Sequence, residues 1–162
     1  MSAATTVIRE IYATEAATLL PLLNQVQSLH AAAHPQVFRN DTDGGQVAAF
    51  LNEWVSRDEI TALVAVSEAG TIVGYAICEI QEHKESLLKK ATRHGLIHHV
   101  SVDEEYRGQG IGLCLIEEIK SRLRARAVLR VQSEHYAFNQ ASAALMRKAG
   151  LEPLRVTVDG ST

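Results

Sequence analysis

Three glycines fall within five residues of the chain, at Gly108, Gly110 and Gly112. Residues 96–102 before them have the apolar pattern of a strand, and residues 111–126 after them have that of an amphipathic helix. Glycine has no Cβ, so backbone N–H groups at the start of that helix can approach a bulky anion. Those N–H groups have no partner inside the helix. The cluster therefore predicts a phosphate-binding loop between a strand and a helix.

The spacing of the glycines excludes two common nucleotide-binding loops. The chain has no G-x-x-x-x-G-K-[ST], and its glycines follow G-x-G-x-G rather than G-x-G-x-x-G. It does contain Arg-x-x-Gly-x-Gly, from Arg107 to Gly112. A charge-assisted hydrogen bond contributes about 1.5–3 kcal/mol and a helix dipole about 0.3–1 kcal/mol. Hydrogen bonds from the loop amides should therefore contribute more to phosphate binding than the helix dipole does. The alternative is a tight loop whose glycines serve only packing.

Apolar periodicity elsewhere predicts a mixed α/β fold. The first helix carries a stripe from Leu19 to Leu29 behind a cap at Thr14, and Pro21 should kink or delay it. A second helix spans 47–55 behind Thr42 or Asp43, and a fourth spans 139–149. Strands are predicted over 7–12, 60–66, 71–80, 96–102, 128–133 and 154–158, with 83–95 polar and irregular. This order predicts a mixed sheet with helices on both faces.

Composition restricts the class of protein further. A length of 162 residues, with 46% apolar and 22% charged residues, predicts one globular domain over 1–162. The net charge of −3 counts against a nucleic-acid partner. Two separated cysteines, Cys78 and Cys114, indicate a reducing compartment, and no apolar run approaches membrane-spanning length. A cytoplasmic protein without a membrane partner is expected.

Charge is unevenly distributed along the chain. Residues 1–83 carry three basic and ten acidic side chains, whereas residues 84–155 carry thirteen basic and eight acidic ones. The glycine cluster lies in the basic part.

Two segments resemble the motifs of one enzyme superfamily. The strand Leu96-Ile97-His98-His99-Val100-Ser101-Val102 and the Arg107–Gly112 loop look like the cofactor-binding motif of the GNAT superfamily of acyl-CoA-dependent N-acetyltransferases. Residues 139–151 resemble its second motif, in which Asn opens a helix that closes on Lys-x-Gly-Phe. The resemblance implies a central mixed, mostly antiparallel sheet flanked by about four helices, with splayed strands at the CoA site. The resemblance also implies an acyl-CoA-dependent N-acetyltransferase. A homodimer is expected, because dimers are common in this superfamily.

The resemblance implies acetyl-CoA as cosubstrate and assigns residues to it. The pantetheine arm would lie along Val100, Ser101 and Val102. Asn139 would cap its helix, contact the cofactor, or do both. The pyrophosphate would rest on the loop formed by Arg107, Gly108, Gln109, Gly110, Ile111 and Gly112.

The implied reaction is direct attack of a neutral primary amine, from a small molecule or a peptide, on the thioester. A base must remove a proton, and a backbone N–H near Val100 would serve the oxyanion by family analogy. His98 and His99, on opposite faces of a regular strand, are candidate bases, with His98 preferred for sharing the face of Val100 and Val102. Glu79 and the Glu134-His135 pair are further candidates.

One position departs from the family pattern. Met146 stands where the family often has a Tyr that protonates the CoA thiolate, and Tyr136 is a candidate substitute. The departure motivates a second hypothesis, a non-catalytic acyl-CoA-binding or regulatory domain. Nucleotide binding is a third, disfavoured by the loop spacing.

The segment between the first two helices shapes the acceptor pocket in this superfamily. His34 and Phe38 are therefore candidate substrate contacts. His30 and His34 are four residues apart, but no third ligand has convincing spacing, so no metal is expected.

Overall fold

A computed structural model describes residues 6–161. Five strands form a sheet in the order β1-β2-β3-β4-β5, antiparallel from β1 to β4 and parallel between β4 and β5. The strands are β1 Val7–Glu10, β2 Ile60–Val66, β3 Ile72–His83, β4 Thr92–Val102 and β5 Val131–Ser133. The helices are α1 Leu20–Ala33, α2 Gly44–Val55, α3 Ile111–Ala125 and α4 Gln140–Lys148. The predicted mixed, mostly antiparallel sheet with four helices is confirmed.

Proline and aspartate set where the first two helices begin. A 3₁₀ helix, Ala13–Leu19, precedes α1, and Pro21 lies in the first turn of α1, where its missing N–H costs nothing. Asp43 caps α2 by accepting a hydrogen bond from the Gln46 N–H at 2.9 Å. The predicted delay at Pro21 and the cap at Asp43 are confirmed.

The sheet separates two apolar layers. On one face, Ile97 and Ala76 pack with Leu115, Ile119 and other buried side chains of α3 and α4. On the other, Val64, Tyr75 and Ile77 pack with Leu22 of α1 and Leu51 of α2. Helices α3 and α4 therefore cover the face opposite to α1 and α2.

The β3–β4 hairpin is longer than the sequence predicts. The prediction of an irregular 83–95 segment was wrong, because β3 continues to His83 and β4 begins at Thr92. Cross-strand pairs hold this polar extension: Arg93 Nε lies 2.8 Å from Glu82 Oε1, and the His83 and His94 rings stack with centroids 5.5 Å apart. Polar side chains thus pair across strands that project beyond the core.

The predicted last strand, 154–158, does not form. Leu154, Val156 and Val158 are 71%, 80% and 89% exposed, and no strand in the described part of the chain pairs with them. An alternating apolar pattern forms a strand only where a neighbour supplies hydrogen bonds and a surface to cover it. That neighbour is missing within these residues, so the prediction was wrong.

Close packing of β4 on α3 gives a test of this arrangement. A Cβ on Gly95 would lie 2.5 Å from Leu123 Cδ1, and Leu123 is buried. We expect Gly95→Ala to lower the free energy of unfolding by about 1–3 kcal/mol, measured by urea denaturation, because overpacking displaces buried atoms. Adding Leu123→Ala makes room for the new methyl group, so the double variant should lose less than the sum of the single losses. Wild-type stability in Gly95→Ala would contradict this packing.

Candidate functional site

Strand β4 loses its neighbour β5 halfway along its length. The two strands pair only at Gly95, Leu96 and Ile97, and Ser133 Oγ donates a hydrogen bond to the Ile97 carbonyl at 3.3 Å where β5 ends. Beyond this point β4 pairs only with β3, through residues 99–102. Their open edge offers backbone donors and acceptors to an extended ligand. The predicted splay of the two strands corresponds to this early end of pairing.

A β-bulge interrupts β4 at His98. Ile77 pairs with His99 and Cys78 with Ile97, so His98 is an extra residue without an opposite partner. Both histidine rings consequently meet Trp54 of α2, with centroids 5.3 Å and 5.6 Å away. The prediction that they lie on opposite faces was wrong, because the bulge breaks the alternation of a regular strand.

The three residues predicted to contact pantetheine turn their side chains elsewhere. Val100 and Val102 pack against the apolar layer of α3, so His98 does not share their face. Ser101 is buried and donates a hydrogen bond from Oγ to the Leu22 carbonyl at 3.3 Å. Only the backbone of these residues is available on the open edge.

The glycine loop presents free amides at the start of α3. Gly108 and Gly110 have φ of 77° and 83°, values that favour glycine, and a Cβ at either would meet no atom within 4 Å. The first helical hydrogen bond runs from the Cys114 N–H to the Gly110 carbonyl at 3.0 Å. Among residues 6–161, the N–H groups of 108–113 have no protein acceptor. The loop thus has the form of an anion cradle.

The remaining loop residues hold the cradle in place. A Cβ on Gly112 would lie 3.1 Å from Leu145 Cδ2, so this glycine permits α3 to approach α4. The Ile111 side chain is buried in the core on the α3 side of the sheet, while Gln109 is exposed. Arg107 donates from Nε to the Val102 carbonyl at 3.0 Å and from Nη2 to Gln25 at 3.3 Å.

The second motif positions α4. Asn139 Oδ1 accepts a hydrogen bond from the Ser142 N–H at 3.0 Å, which confirms its role as helix cap. Met146 is 7% exposed and packs in the core on the α3 side. The side chain at the family's Tyr position therefore contributes to the core, not to a polar site.

His98 forms an ion-pair network with a carboxylate. Its Nε2 lies 2.8 Å from Glu79 Oε2, and Glu79 also accepts from Gln81 at 3.1 Å and from Arg57 at 3.3 Å. Burial raises the pKa of Glu79, but the hydrogen bonds and the charges of His98 and Arg57 outweigh it, so that pKa lies below its usual value. Because an ionised carboxylate can only accept, Nε2 carries the hydrogen of this bond. Nδ1 has no hydrogen-bond partner in the described part of the chain and would offer a lone pair when the ring is neutral. A histidine oriented by a carboxylate is the arrangement of a general base.

His99 lies in a more buried environment than His98. Its Nδ1 shares a hydrogen bond of 3.2 Å with the hydroxyl of Tyr75, and burial raises the pKa of that hydroxyl. Burial, with smaller contributions from the charges of His98 and His30, lowers the pKa of His99 to about 4. His99 is thus a neutral imidazole near pH 7 and a weaker base than an ordinary histidine. Of the two candidate bases, the geometry favours His98.

Several rings meet where α1, the segment after it and the segment after β5 converge. The Phe38 ring stacks on His30 with centroids 4.8 Å apart, and Tyr136 lies 5.0 Å from His34 and 5.1 Å from Phe38. We call this group the ring cluster. Its members are His30, His34, Phe38, Tyr136 and Phe138. The structure thereby brings together both predicted substrate contacts and the candidate acid Tyr136.

Other sequence candidates lie apart from this group. Glu134 is exposed and pairs with Arg155 at 3.1 Å, and the His135 ring lies 3.2 Å from the Tyr136 carbonyl. Sequence reasoning missed Trp54, Phe138 and Gln25 as residues of this region. Trp54 falls within the predicted helix 47–55, where its apolar spacing indicates only packing, and no spacing in the sequence marks the other two. Over residues 6–161, no three His, Cys, Asp or Glu side chains are grouped to hold a metal ion, and no helix is long and apolar enough to cross a membrane.

Burial of His99 predicts a pH dependence of stability. In the unfolded chain this side chain takes up a proton near its ordinary pKa of 6.5, but in the folded chain only near pH 4. Stability present above about pH 6.5 is therefore lost as the pH falls toward about 4, by on the order of 3 kcal/mol. His30 and His94, whose pKa values are also lowered by burial, act in the same direction.

We expect His99→Gln to lose less stability than wild type between about pH 7.5 and about pH 5, because one of these histidines is removed. The measurement is the free energy of unfolding in urea at each pH. An equal loss in both proteins would contradict the burial of a neutral His99.

Comparison with known proteins places this geometry in a family. Residues 23–151 match the sequence profile of the Acetyltransferase (GNAT) family. None of the curated protein sequences is significantly similar to the chain. Among solved structures, a tetramutant of the BH1408 protein from Bacillus halodurans is 23% identical, with a TM-score of 0.85 over 96% of this chain and 99% of that one.

Two named enzymes share the fold at lower identity. Aminoglycoside N-acetyltransferase AAC(6')-Iy, in complex with CoA, is 16% identical with a TM-score of 0.77, over 99% of this chain and 97% of its own. Glucosamine-6-phosphate N-acetyltransferase from Arabidopsis thaliana is 17% identical with a TM-score of 0.68, over 97% and 98%. At these identities the likeness shows the fold alone. Because the family profile covers most of the chain, including the glycine loop and α4, the protein belongs to the Acetyltransferase (GNAT) family.

Proposed function

We propose that the protein is an N-acetyltransferase that transfers an acetyl group from acetyl-CoA to a primary amine by direct attack in a ternary complex. One observation carries the proposal. The free amides of the glycine loop and the open edge of β4 lie along one stretch of chain that ends at the His98–Glu79 pair. Along this stretch the chain therefore offers loop amides for an anion, an open strand edge for an extended group, and a histidine that can accept a proton.

The chain offers suitable groups for each part of the cosubstrate. The six amides of 108–113 would donate to the pyrophosphate, and the backbone of 98–102 would pair with the amides of the pantetheine arm. Arg107 is fixed by Val102 and Gln25, so it would orient the loop as well as add positive charge. Asn139 would act through the start of α4, which it caps.

The side chains then supply the proton transfer. Acetyl-CoA provides an activated acyl group in its thioester. His98 Nδ1 would accept the proton that the substrate ammonium loses, and Glu79 would stabilise the imidazolium. The amine nitrogen forms a bond to the acetyl carbon as the C–S bond breaks and CoA departs as the thiolate. The proton on His98 passes to solvent, and the second proton that the nitrogen loses in becoming an amide passes to the thiolate or to solvent. A thiol has a pKa of about 8.5, so its thiolate leaves readily, with Tyr136 the candidate acid.

Substitution of the two histidines tests the assignment of the base. We expect His98→Gln to lower kcat by roughly 10²–10⁴, because a positioned general base contributes a factor of that order, with little change in KM for acetyl-CoA. Release of free thiol from acetyl-CoA in the presence of an amine panel measures kcat. His99→Gln is the matched control on the next residue and should retain kcat within about tenfold of wild type. A larger loss in His99→Gln than in His98→Gln would reverse the assignment.

A second pair of variants tests the phosphate cradle. Valine at Gly110 disfavours the φ of 83° that aims the loop amides, so Gly110→Val should weaken CoA binding by at least about tenfold in titration calorimetry. Gly70→Val is a matched control, because Gly70 has a φ of 80°, has equal open space around it, and lies in the β2–β3 turn. Unchanged CoA affinity in Gly110→Val would overturn the cradle.

The non-catalytic alternative makes a distinct prediction for the same assays. An acyl-CoA-binding domain would bind CoA and lose affinity in Gly110→Val, yet release no thiol with any amine. The cytoplasmic location and the homodimer stay predictions of the sequence.

A further inference from the structure

Aromatic side chains are concentrated around the His98 bulge. The chain has only three Phe, one Trp and four Tyr residues. Three of these eight belong to the ring cluster, and Phe50 and Trp54 add two more, with ring centroids 5.5 Å apart on α2. Among residues 6–161, Tyr75 is the one aromatic side chain that is fully buried in the core. The fold therefore places most of its aromatic surface at the site and little of it in the interior.

The bulge connects the two sets of rings. Trp54 contacts both His98 and His99, and α1, which carries His30 of the ring cluster, packs on β4, where Ser101 Oγ donates to the Leu22 carbonyl. Tyr136 and Phe138 remain 39% and 38% exposed. Rings left exposed beside polar groups that converge on one point are typical of a small-molecule site.

Few charged side chains contact the rings around His98. In the described part of the chain, Glu79 is the carboxylate that hydrogen-bonds to the His98 ring, and it also accepts hydrogen bonds from Gln81 and Arg57. Burial lowers the pKa values of His30 and His99, so both rings are neutral near pH 7. A substrate with several ammonium groups would need further carboxylates, and two that lie near the ring cluster in the chain, Asp41 and Glu134, are already paired with Arg39 and Arg155. A single ammonium can instead be held against ring faces.

We infer that the acceptor is a monoamine whose nitrogen is joined by a short alkyl linker to an aromatic ring. This inference rests on the proposed function, since it makes His98 the group that accepts the amine proton. The aromatic body of the substrate would pack on Phe38, Tyr136 and Phe138, and its ammonium would lie toward Trp54 and His98. Ring pairs contribute about 0.5–1.5 kcal/mol each beyond their buried area, so several rings would select strongly for an aromatic body.

Competing acceptors test the substrate class. We expect kcat/KM for 2-phenylethylamine to exceed those for n-hexylamine and spermidine by at least about tenfold, because these probes lack the ring or add charges. Equal or higher kcat/KM for either of the other amines would overturn the inference while leaving the acetyltransferase function intact.

Trp54 gives a binding readout that does not depend on turnover. It is the single tryptophan of the chain, so its fluorescence reports on this site alone. In the presence of CoA, 2-phenylethylamine should change Trp54 emission at lower concentration than n-hexylamine does. Selective binding without thiol release would support the aromatic site and overturn the proposed function. Absence of both selective binding and turnover would overturn the inference.

A ring-to-leucine variant tests the contact itself. Phe138→Leu keeps apolar volume at a partly exposed position, so it should fold. It should raise KM for 2-phenylethylamine by roughly three- to tenfold, raise KM for n-hexylamine by a clearly smaller factor, and affect KM more than kcat. Tyr12→Leu is the control, because Tyr12 is an exposed ring that packs on Arg9 away from the site. An equal rise in KM for both amines would contradict ring stacking.

Discussion

Strand β4 runs as a paired strand up to Ile97 and as a half-paired strand beyond it, and the site depends on this change. If β5 continued alongside, the backbone groups of 98–102 would be satisfied and no extended ligand could bind there. Because β5 stops at Ser133, the chain turns away and carries Tyr136 and Phe138 to the end of α1. The same break thus opens the cosubstrate groove and completes the proposed acceptor site.

The bulge at His98 places two titratable side chains beside the open edge of β4. One extra residue turns both histidines toward Trp54, where they acquire different partners. His98 meets a carboxylate, whereas His99 meets a buried hydroxyl and stays neutral. Two adjacent residues of one type therefore lie in different environments, and it is desolvation and hydrogen bonding, not residue type, that set how readily each takes a proton.

Glycines in and around the loop act for two physical reasons. Gly108 and Gly110 adopt positive φ in open space, which orients amides toward a ligand. Gly112 and Gly95 instead lie against Leu145 and Leu123, where a Cβ would be tightly placed on Gly112, at 3.1 Å, and would collide on Gly95, at 2.5 Å. The sequence pattern treats Gly110 and Gly112 alike, and only packing distinguishes a binding glycine from a structural one. The sequence also gives no sign of the hydrogen bond from Arg107 to Gln25, because the two residues are 82 positions apart.

Local patterns determined much of this protein from the sequence alone. The glycine cluster between a strand and a helix, the caps at Asp43 and Asn139, and the periodicity of the helices all depend on neighbours within a few residues, so the sequence shows them directly. The missing last strand, the longer β3–β4 hairpin and the common orientation of His98 and His99 were decided by tertiary structure. Each depends on a partner strand, or on its absence, and on the register of pairing, which the periodicity of a single segment does not show. The ring cluster is the clearest case, because its members come from α1, the segment after it and the segment after β5, and only the fold brings them into contact.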